Sequence, residues 1–253
     1  MNPVGAQVEL SEIDEQRFGI RTARSTEVTC ESLPGVLDYC RRHDVRLLIA
    51  RCRVSELAAA QALEQAGGGL MDTLVYYARD LLSTPIPVDA DGVSIRGIRP
   101  GDEAPVQAIA AEAFRGYVGH YHADPRLDRA KCDEAYTSWA VRSCTSREVA
   151  DEVLVADRDG ELLGFATLRL NSRTQGECAL FAVAPAAQGG GVGRSLMAGG
   201  MRWCAAQGAH RMIISTQLIN LAVQKVWVRV GFEPDHAYYT FHVWLDAAPG
   251  NIP

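Results

Sequence analysis

The stretch AQGGGVGRSL, from Ala187 to Leu196, places four glycines between an apolar run and a predicted helix. A glycine costs about 1 kcal/mol relative to alanine in an ordered helix, so such a cluster needs a physical reason. Its backbone must approach a phosphate group or a neighbouring strand, or else the glycines form a turn without a partner. This segment constrains the fold most, because it requires a strand, a tight loop and a helix in immediate succession.

The segments on either side of the glycine loop predict alternating strands and helices, and therefore an α/β fold. Downstream, one helix is expected to end near Gly208, and a second is expected between a cap at Asn220 and a stop at Gly231. Upstream, the turn residues from Asp157 to Gly160 separate two apolar runs and predict a β-hairpin. Two further helices, EAPVQAIAAEAF and RAKCDEAYTSWAVRSC, are predicted before the hairpin.

An internal repeat indicates how the chain is organised into domains. Segments 45–81 and 210–245 share one order of strand, capped helix, glycine stop and a strand with a Tyr-Tyr pair, and Ser55 is the expected cap in the first copy. The first copy has no counterpart of the glycine loop. Together with a proline-containing seam after Ser83, the repeat predicts a degenerate N-terminal α/β domain at 1–84, a linker at 85–92 and a second domain at 93–253.

Charge and cysteine content disfavour several classes of protein. The net charge of −6 argues against a nucleic-acid partner, because binding a phosphate polymer usually requires a basic face. No apolar run approaches the length of about 18 residues that a membrane helix needs, so no membrane span is expected. The seven cysteines are odd in number and lack Cys-x-x-Cys spacing, which predicts reduced thiols in a cytoplasmic protein and no metal site.

Two common phosphate-binding motifs do not fit the glycine loop. A P-loop requires Lys followed by Ser or Thr after the glycines, and a dinucleotide fingerprint requires a third glycine where Leu196 stands. The loop instead matches the pattern Q-x-x-G-x-G from Gln188 to Gly193. Consecutive backbone N–H groups at a helix start can hold an anion, whereas side chains there would block its approach.

This loop, together with the segment NLAVQKVWVRVGF, resembles the GNAT superfamily of acyl-CoA-dependent N-acetyltransferases, over roughly Val93 to Leu245. The resemblance implies an α/β GNAT fold, with a mixed, mostly antiparallel, splayed sheet and flanking helices, here preceded by a smaller degenerate GNAT-like half-domain. It also implies that region 93–253 is catalytic and that acetyl-CoA or another acyl-CoA is the co-substrate. Within the superfamily, the chain is most similar to dTDP-4-amino-4,6-dideoxygalactose N-acetyltransferases in architecture and in an aromatic and histidine loop.

The resemblance further implies which residues contact acyl-CoA. The strand CALFAVAP is expected to diverge from HRMIIST, so that its backbone groups meet the pantetheine arm and polarise the thioester carbonyl. The predicted cofactor-binding residues are Phe181, Ala182, Val183, Gln188, Gly189, Gly190, Gly191, Val192, Gly193, Arg194, Ser195, Asn220 and Trp227. If the loop holds a phosphate, a valine at Gly191 is expected to abolish acyl-CoA binding without unfolding the protein.

The predicted catalytic residues are Glu177, His120 and Asn220. Many superfamily members place a tyrosine acid where this chain has Trp227, but an indole N–H cannot act as an acid, so Trp227 is assigned to packing or acyl-CoA contact. Strand alternation predicts that Glu177 shares a face with Phe181. The alternatives stay open: Glu177 as a solvated strand-end acid, His120 as a surface loop residue, and Asn220 as a helix cap only.

The segment GYVGHYHADP lies where superfamily members receive the acceptor, and its predicted substrate-binding residues are Tyr117, Tyr121 and His122. Tyrosine rings there suit a nucleotide base or a sugar. The resemblance therefore predicts an N-acyltransferase that moves an acyl group, acetyl by default, to the amine of a dTDP-linked amino-deoxysugar. The N-terminal half is expected to support the acceptor cleft or a homodimer contact. The alternatives are transfer to a peptide, protein or small antibiotic amine, and a CoA-binding regulatory protein without turnover.

Overall fold

The computed structural model describes residues 7–245, which form a mixed α/β structure, as predicted. The strands are β1 (Gln7–Leu10), β2 (Thr22–Thr26), β3 (Leu47–Arg53), β4 (Gly68–Asp80), β5 (Ser94–Gly97), β6 (Glu152–Arg158), β7 (Glu161–Ser172), β8 (Gln175–Val183), β9 (Arg211–Gln217) and β10 (Glu233–Trp244). The α-helices are α1 (Glu12–Phe18), α2 (Leu33–Arg42), α3 (Leu57–Gln65), α4 (Glu103–Ala113), α5 (His120–Ala123), α6 (Arg129–Thr145), α7 (Val192–Ala206) and α8 (Leu221–Arg229).

The chain divides into two compact units that are not continuous in sequence. Within the described residues, the first unit contains residues 7–75, the segment Val118–Cys132 and residues 236–245. The second unit contains Tyr76–Tyr117 and Asp133–Asp235. The predicted boundaries at 84 and 93 stay predictions, and their outer ends lie beyond the described residues. The compact units cross these boundaries, because two later segments of the chain pack with the N-terminal part.

The first unit contains strands in the order β1-β2-β3-β10. Strands β2 and β3 are parallel, because α2 returns the chain between them, and the other two neighbours are antiparallel. Helices α2 and α3 contribute Val36, Cys40 and Leu63 to a core shared with Leu48 of β3 and Phe241 of β10. Strand β10 thus belongs to this unit from His236 onward.

The second unit contains strands in the order β9-β8-β7-β6-β5, with only β8 and β9 parallel. The predicted hairpin β6–β7 turns at Asp159 and Gly160, both with positive φ. Helices α4 and α6 pack on one face of the sheet, where Ala110 and Ala140 meet Phe165. Helix α7 packs so closely on the sheet that a Cβ at Gly200 would lie 3.2 Å from the side chain of Leu168.

The internal repeat is visible as two segments with the same element order, β3–α3–β4 and β9–α8–β10. Each copy has a helix of 9 residues, and each is followed by a glycine with positive φ, Gly67 and Gly231. The cap predicted at Ser55 is wrong by one residue, since the N-cap of α3 is Glu56. Asn220 is the N-cap of α8, but its side chain makes no capping hydrogen bond.

Two further features of the described residues concern the cysteines and the lengths of the helices. All seven cysteines lie within the described residues and are free. Among residues 7–245, no helix has the length and apolar character required to cross a membrane.

Candidate active site

Strands β8 and β9 of the second unit separate partway along their length. Their parallel ladder runs from Gln175↔Arg211 to Cys178↔Ile214 and ends there, although β8 continues to Val183 and β9 to Gln217. The two strands therefore diverge over the segment where the sequence predicted an opening. A ligand with hydrogen-bonding groups along its length can pair with strand backbone that has lost its neighbour.

The backbone of Phe181 and Val183 faces this opening. The N–H of Ala184 donates to Leu163 of β7 at 2.9 Å. Backbone groups of successive residues in a strand point to opposite sides, so those of Val183 and Phe181 point away from β7. Ala182 contributes its side chain to the core under α4 and α6. Of the three predicted positions, Phe181 and Val183 are thus placed to offer backbone groups to a ligand.

A β-bulge moves Glu177 to the other face of β8, so the prediction that it shares a face with Phe181 is wrong. Leu168 pairs with Cys178 and Thr167 pairs with Leu180, which leaves Ala179 as an extra residue that reverses the alternation. Glu177 therefore lies on the face that Leu180 presents to α4 and α6.

The carboxylate of Glu177 is held by two neighbouring side chains. It accepts a hydrogen bond from Asn171 Nδ2 at 2.9 Å and lies 3.3 Å from Nε of Arg169. Its side chain is 14% exposed. Glu177 is thus a fixed, partly solvated carboxylate rather than a mobile acid at a strand end.

The glycine loop connects β8 to the N-terminus of α7 through a short 3₁₀ helix, Pro185–Ala187. Gly189 and Gly191 adopt positive φ values of 83° and 80°, which side-chain-bearing residues rarely tolerate. Gly189 and Gly190 are exposed, and no atom lies within 3.4 Å of a Cβ built on either. The loop thus leaves open space beside the N–H groups that begin α7, as an anion site requires.

Gly191 has a second structural role that changes the expected effect of a valine there. A Cβ on Gly191 would lie 2.8 Å from the Cβ of Ala90, in the predicted linker. The N–H of Ala90 in turn donates to Ser195 Oγ at 2.8 Å. A valine at Gly191 would strain the backbone and displace the linker, so it would not leave the fold intact. Gly190 is the better position for a test substitution, because it has open space around a Cβ and no positive φ.

The other predicted loop residues occupy different environments. Val192 and Ser195 are buried, and the Ser195 hydroxyl also donates to the carbonyl of Gly191 at 3.2 Å. Arg194 and Gln188 are exposed, and Gln188 Nε2 donates to the carbonyl of Val183 at 3.4 Å. A Cβ on Gly193 would be 3.3 Å from the Phe181 ring, so this glycine permits the close approach of α7 to β8.

Asn220 and Tyr117 meet at the diverging end of β9 through Thr216. The Asn220 amide donates to Thr216 Oγ1 at 3.1 Å, and Tyr117 Oη lies 3.5 Å from the same oxygen. The ring of Tyr117 also contacts Phe114 and Tyr136 edge-on, with ring centroids 5.6 and 5.0 Å away. Sequence reasoning missed Thr216, because a buried threonine in a strand carries no distinctive signal.

Trp227 lies in the interior of the second unit, with 2% of its surface exposed. Its ring contacts Tyr77 edge-on at 5.6 Å, and Tyr77 Oη donates to Gln224 Oε1 at 3.1 Å. Within the described residues, the indole Nε1 has no hydrogen-bond partner. The packing role proposed for Trp227 is thus observed, and its contact with acyl-CoA stays a prediction.

His120, Tyr121 and His122 belong to the first unit, whereas Tyr117 belongs to the second. They form the short helix α5, and all three side chains are buried rather than exposed in a loop. Tyr121 Oη donates to Asp14 at 2.6 Å and also contacts Arg24. Burial raises the pKa of Tyr121 to about 12. The hydroxyl thus has protein partners, and the proposed substrate contacts of Tyr121 and His122 stay predictions.

His120 is part of a buried chain of hydrogen bonds in the first unit. Its Nδ1 lies 2.9 Å from His242 Nε2, and His242 Nδ1 lies 2.7 Å from Asp124 Oδ2. Burial, followed by the charges of neighbouring groups, holds the pKa of His120 well below 6.5, so its ring is neutral at pH 7. No local pattern indicated the pairing of Asp124 with His242, because the two residues are 118 positions apart in the chain.

Comparisons with known proteins agree with the geometry of the second unit. Residues 110–232 match the family model described as the Acetyltransferase (GNAT) family. A mycothiol acetyltransferase of Amycolatopsis mediterranei is 33% identical over 159 residues, which cover 58% of this chain and 48% of the relative. The spore coat polysaccharide biosynthesis protein SpsD of Bacillus subtilis is 29% identical over 147 residues, which cover 57% and 48%. The chain spans about half the length of the curated relatives it matches.

Solved structures with the same fold extend over most of the chain. A GCN5-related N-acetyltransferase from Kribbella flavida superposes with a TM-score of 0.65 at 16% identity, over 98% of this chain and 89% of that one. A tandem GNAT protein from the clavulanic acid biosynthesis pathway gives 0.63 at 16% identity, over 91% and 77%. At these identities the likeness shows the fold alone, and the predicted GNAT fold is confirmed.

Proposed function

We propose that this chain, a member of the GNAT acetyltransferase family through residues 110–232, is an acyl-CoA-dependent N-acetyltransferase of a small-molecule amine. One observation carries the proposal: in the second unit, an open glycine loop at the start of α7 adjoins the strand edge where β8 and β9 diverge. The loop suits a pyrophosphate and the strand edge suits a chain of amides. A pantetheine-linked nucleotide contains both groups.

The residues that would hold acyl-CoA follow from this arrangement. The N–H groups around Gly190 would bind the pyrophosphate, assisted by the exposed charge of Arg194. Backbone groups of Phe181 and Val183 would pair with the pantetheine arm, and Asn220 would contact it from the N-terminus of α8. Acetyl-CoA would supply the acetyl group as a thioester. A backbone N–H of β8 would stabilise the negative charge that develops on the thioester carbonyl oxygen.

Two residues are candidates for removing a proton from the acceptor. Glu177 is a partly solvated carboxylate held by Arg169 and Asn171. His120 is a neutral imidazole at the end of a hydrogen-bonded chain. Trp227 cannot replace the family's tyrosine acid, so the departing thiolate, whose ordinary pKa is about 8.5, would leave without a protein acid.

The acceptor we favour is the amine of a dTDP-linked amino-deoxysugar. The aromatic rings of Tyr117, Phe114 and Tyr136 suit a base or sugar, and the relative SpsD is named for polysaccharide biosynthesis. A second candidate is the acceptor of the mycothiol acetyltransferases, because several relatives carry that name. In either case we assign catalysis to region 93–253 in the cytoplasm, and acceptor support or a dimer contact to region 1–84.

Mass spectrometry with ¹³C-labelled acetyl-CoA tests the proposal. The acceptors are dTDP-4-amino-4,6-dideoxyhexose, the acceptor of the mycothiol acetyltransferases, a peptide with a free N-terminus and an aminoglycoside. We expect a gain of one labelled acetyl group on the sugar nucleotide, and little with the variant Gly190→Val. Product on the second acceptor alone would reassign the substrate. Binding of acetyl-CoA without product from any amine would contradict the proposal and favour a regulatory protein.

A further inference from the structure

The first unit contains a linear chain of buried groups, Asp124–His242–His120, that the glycine loop and the diverging strands do not involve. His120 Nδ1 lies 2.9 Å from His242 Nε2, and His242 Nδ1 lies 2.7 Å from Asp124 Oδ2. His120, His242 and Asp124 are only 6%, 1% and 3% exposed. Such a chain is costly to bury unless every proton in it has an assigned place.

Two neighbours of Asp124 fix the direction of these hydrogen bonds. The indole Nε1 of Trp244 donates to Asp124 Oδ2 at 2.9 Å, and the backbone N–H of Arg126 donates to Oδ1 at 2.9 Å. Neither group can accept a hydrogen bond. Both oxygens of Asp124 therefore act as acceptors. Burial by itself raises the pKa of Asp124, but the hydrogen bonds from His242, Arg126 and Trp244 together have the larger, opposite effect. The net pKa is below its usual value, so the group is an ionised carboxylate at pH 7.

The direction of the hydrogen bonds at His242 and His120 follows from the acceptor role of Asp124. Because Asp124 Oδ2 accepts, the proton between it and His242 is on Nδ1 of His242. With that proton on Nδ1, Nε2 of His242 can accept from Nδ1–H of His120, whose own ring is neutral at pH 7. His120 in turn has its only ring proton on Nδ1, and its Nε2 keeps a lone pair.

We propose that Asp124 and His242 are positioning residues that hold His120 in this tautomer, so that Nε2 of His120 accepts a proton from an ammonium group. The proton transfer to His120 rests on the proposed function, in which the ammonium group is the protonated amine of the acceptor. The N–H bond of the ammonium breaks, and its proton moves to Nε2 of His120. The proton on Nδ1 of His120 shifts to Nε2 of His242. The amine keeps its electron pair, and the positive charge comes to rest beside Asp124.

The surroundings of His120 explain why the charge would move to His242. The charged and titratable groups around it come from β2, β3, α5 and β10, namely Arg24, Arg51, Tyr121, His122 and His242. Burial and the cations among them disfavour a positive charge on His120 itself. His242, by contrast, is in direct contact with a carboxylate. Protonation of the pair thus depends on Asp124.

Nuclear magnetic resonance of the full chain labelled with ¹⁵N-histidine tests the tautomers without any substrate. The chain has six histidines, and His120→Asn and His242→Asn assign the two rings. We expect the ring of His120 to carry one proton, on Nδ1, between pH 6 and pH 8. A proton on Nε2 of His120 in the unmodified protein would overturn the proposal, and this reading needs no variant to fold.

The pH dependence of kcat/KM tests the catalytic half. In Asp124→Asn we expect kcat/KM to fall by about 100-fold, within the usual range for general base catalysis. We also expect the loss of activity on the acidic side of the pH profile to occur at lower pH, because the protonated pair of His120 and His242 no longer has a carboxylate beside it. The exposed His210→Asn serves as the control and should retain the original profile. An equal loss at every pH, with the limb unmoved, would mean structural damage and refute the relay. If no amine is acetylated at all, the proposed function fails, while the tautomer result stands by itself.

Discussion

Asp14→Asn removes one negative charge from the buried interior of the first unit with almost no change in volume. The Asp14 side chain is fully buried and lies at the centre of four hydrogen bonds. Its Oδ2 accepts from Ser11 Oγ and Arg24 Nε, each at 2.6 Å, and its Oδ1 accepts from Arg24 Nη2 at 3.0 Å and Tyr121 Oη at 2.6 Å. An amide retains one of these oxygens, so the donors on the other side would face an NH₂ group.

The expected cost follows from these partners. Breaking a buried ion pair by removing one member costs roughly 3–5 kcal/mol, largely because the remaining charge is left unpaired. The side chain of Arg24 is 37% exposed, so water relieves part of that penalty. We therefore expect a loss of about 3 kcal/mol in the free energy of unfolding, at the lower end of the range. For a chain of this length that corresponds to a fall in Tm of roughly 6–12 °C.

Urea unfolding followed by circular dichroism at pH 7 measures this loss, and Asp38→Asn is the matched control. Asp38 also pairs with an arginine, Arg42 at 2.9 Å, but its side chain is 52% exposed. The control should lose no more than about 0.5 kcal/mol. A loss below about 1 kcal/mol for Asp14→Asn, similar to the control, would refute the view that the buried carboxylate stabilises this unit.

Two further predictions concern stability. The pKa values of Asp14 and Asp124 lie below 3.8, because hydrogen bonds from Arg24 and His242, respectively, outweigh burial. Their stabilisation is thus complete above about pH 5 and is lost as the pH falls through their folded-state pKa values, so acid titration at fixed urea should show unfolding below pH 4. Gly231→Ala should cost at least 1 kcal/mol more than Gly208→Ala in urea unfolding. Both glycines have positive φ, but only at Gly231 would the new Cβ collide with Arg79. Equal losses would show that Arg79 moves freely.

The features that sequence reasoning predicted correctly are encoded locally. The hairpin at Asp159–Gly160, the helix ends before Gly208 and Gly231, and the loop with Gly189 each depend on a few residues adjacent in the chain. Turn-forming residues determine backbone angles without reference to the rest of the protein. The diverging strands were also expected, but only through the family resemblance.

The features that were missed or wrong depend on contacts between distant parts of the chain. Asp124 meets His242 across 118 positions, and nothing near either residue indicates its partner. Ala90 lies so close to Gly191 that Gly191→Val, which was expected to leave the fold intact, would displace the segment around Ala90. A single bulge at Ala179 moves Glu177 to the opposite face, and one extra residue in a strand has no clear sequence signal. Periodicity alone cannot supply these facts.

Isothermal titration calorimetry with acetyl-CoA and with S-acetyl-pantetheine, on the unmodified protein and on Gly190→Val, tests the central claim most directly. The two ligands differ in the phosphate-bearing part that the glycine loop is proposed to hold. A valine there should remove at least one charge-assisted hydrogen bond, a loss of about tenfold or more in affinity for acetyl-CoA. The affinity for S-acetyl-pantetheine and the unfolding midpoint should stay unchanged. Undiminished binding of acetyl-CoA to a folded Gly190→Val protein would contradict the assignment of the loop.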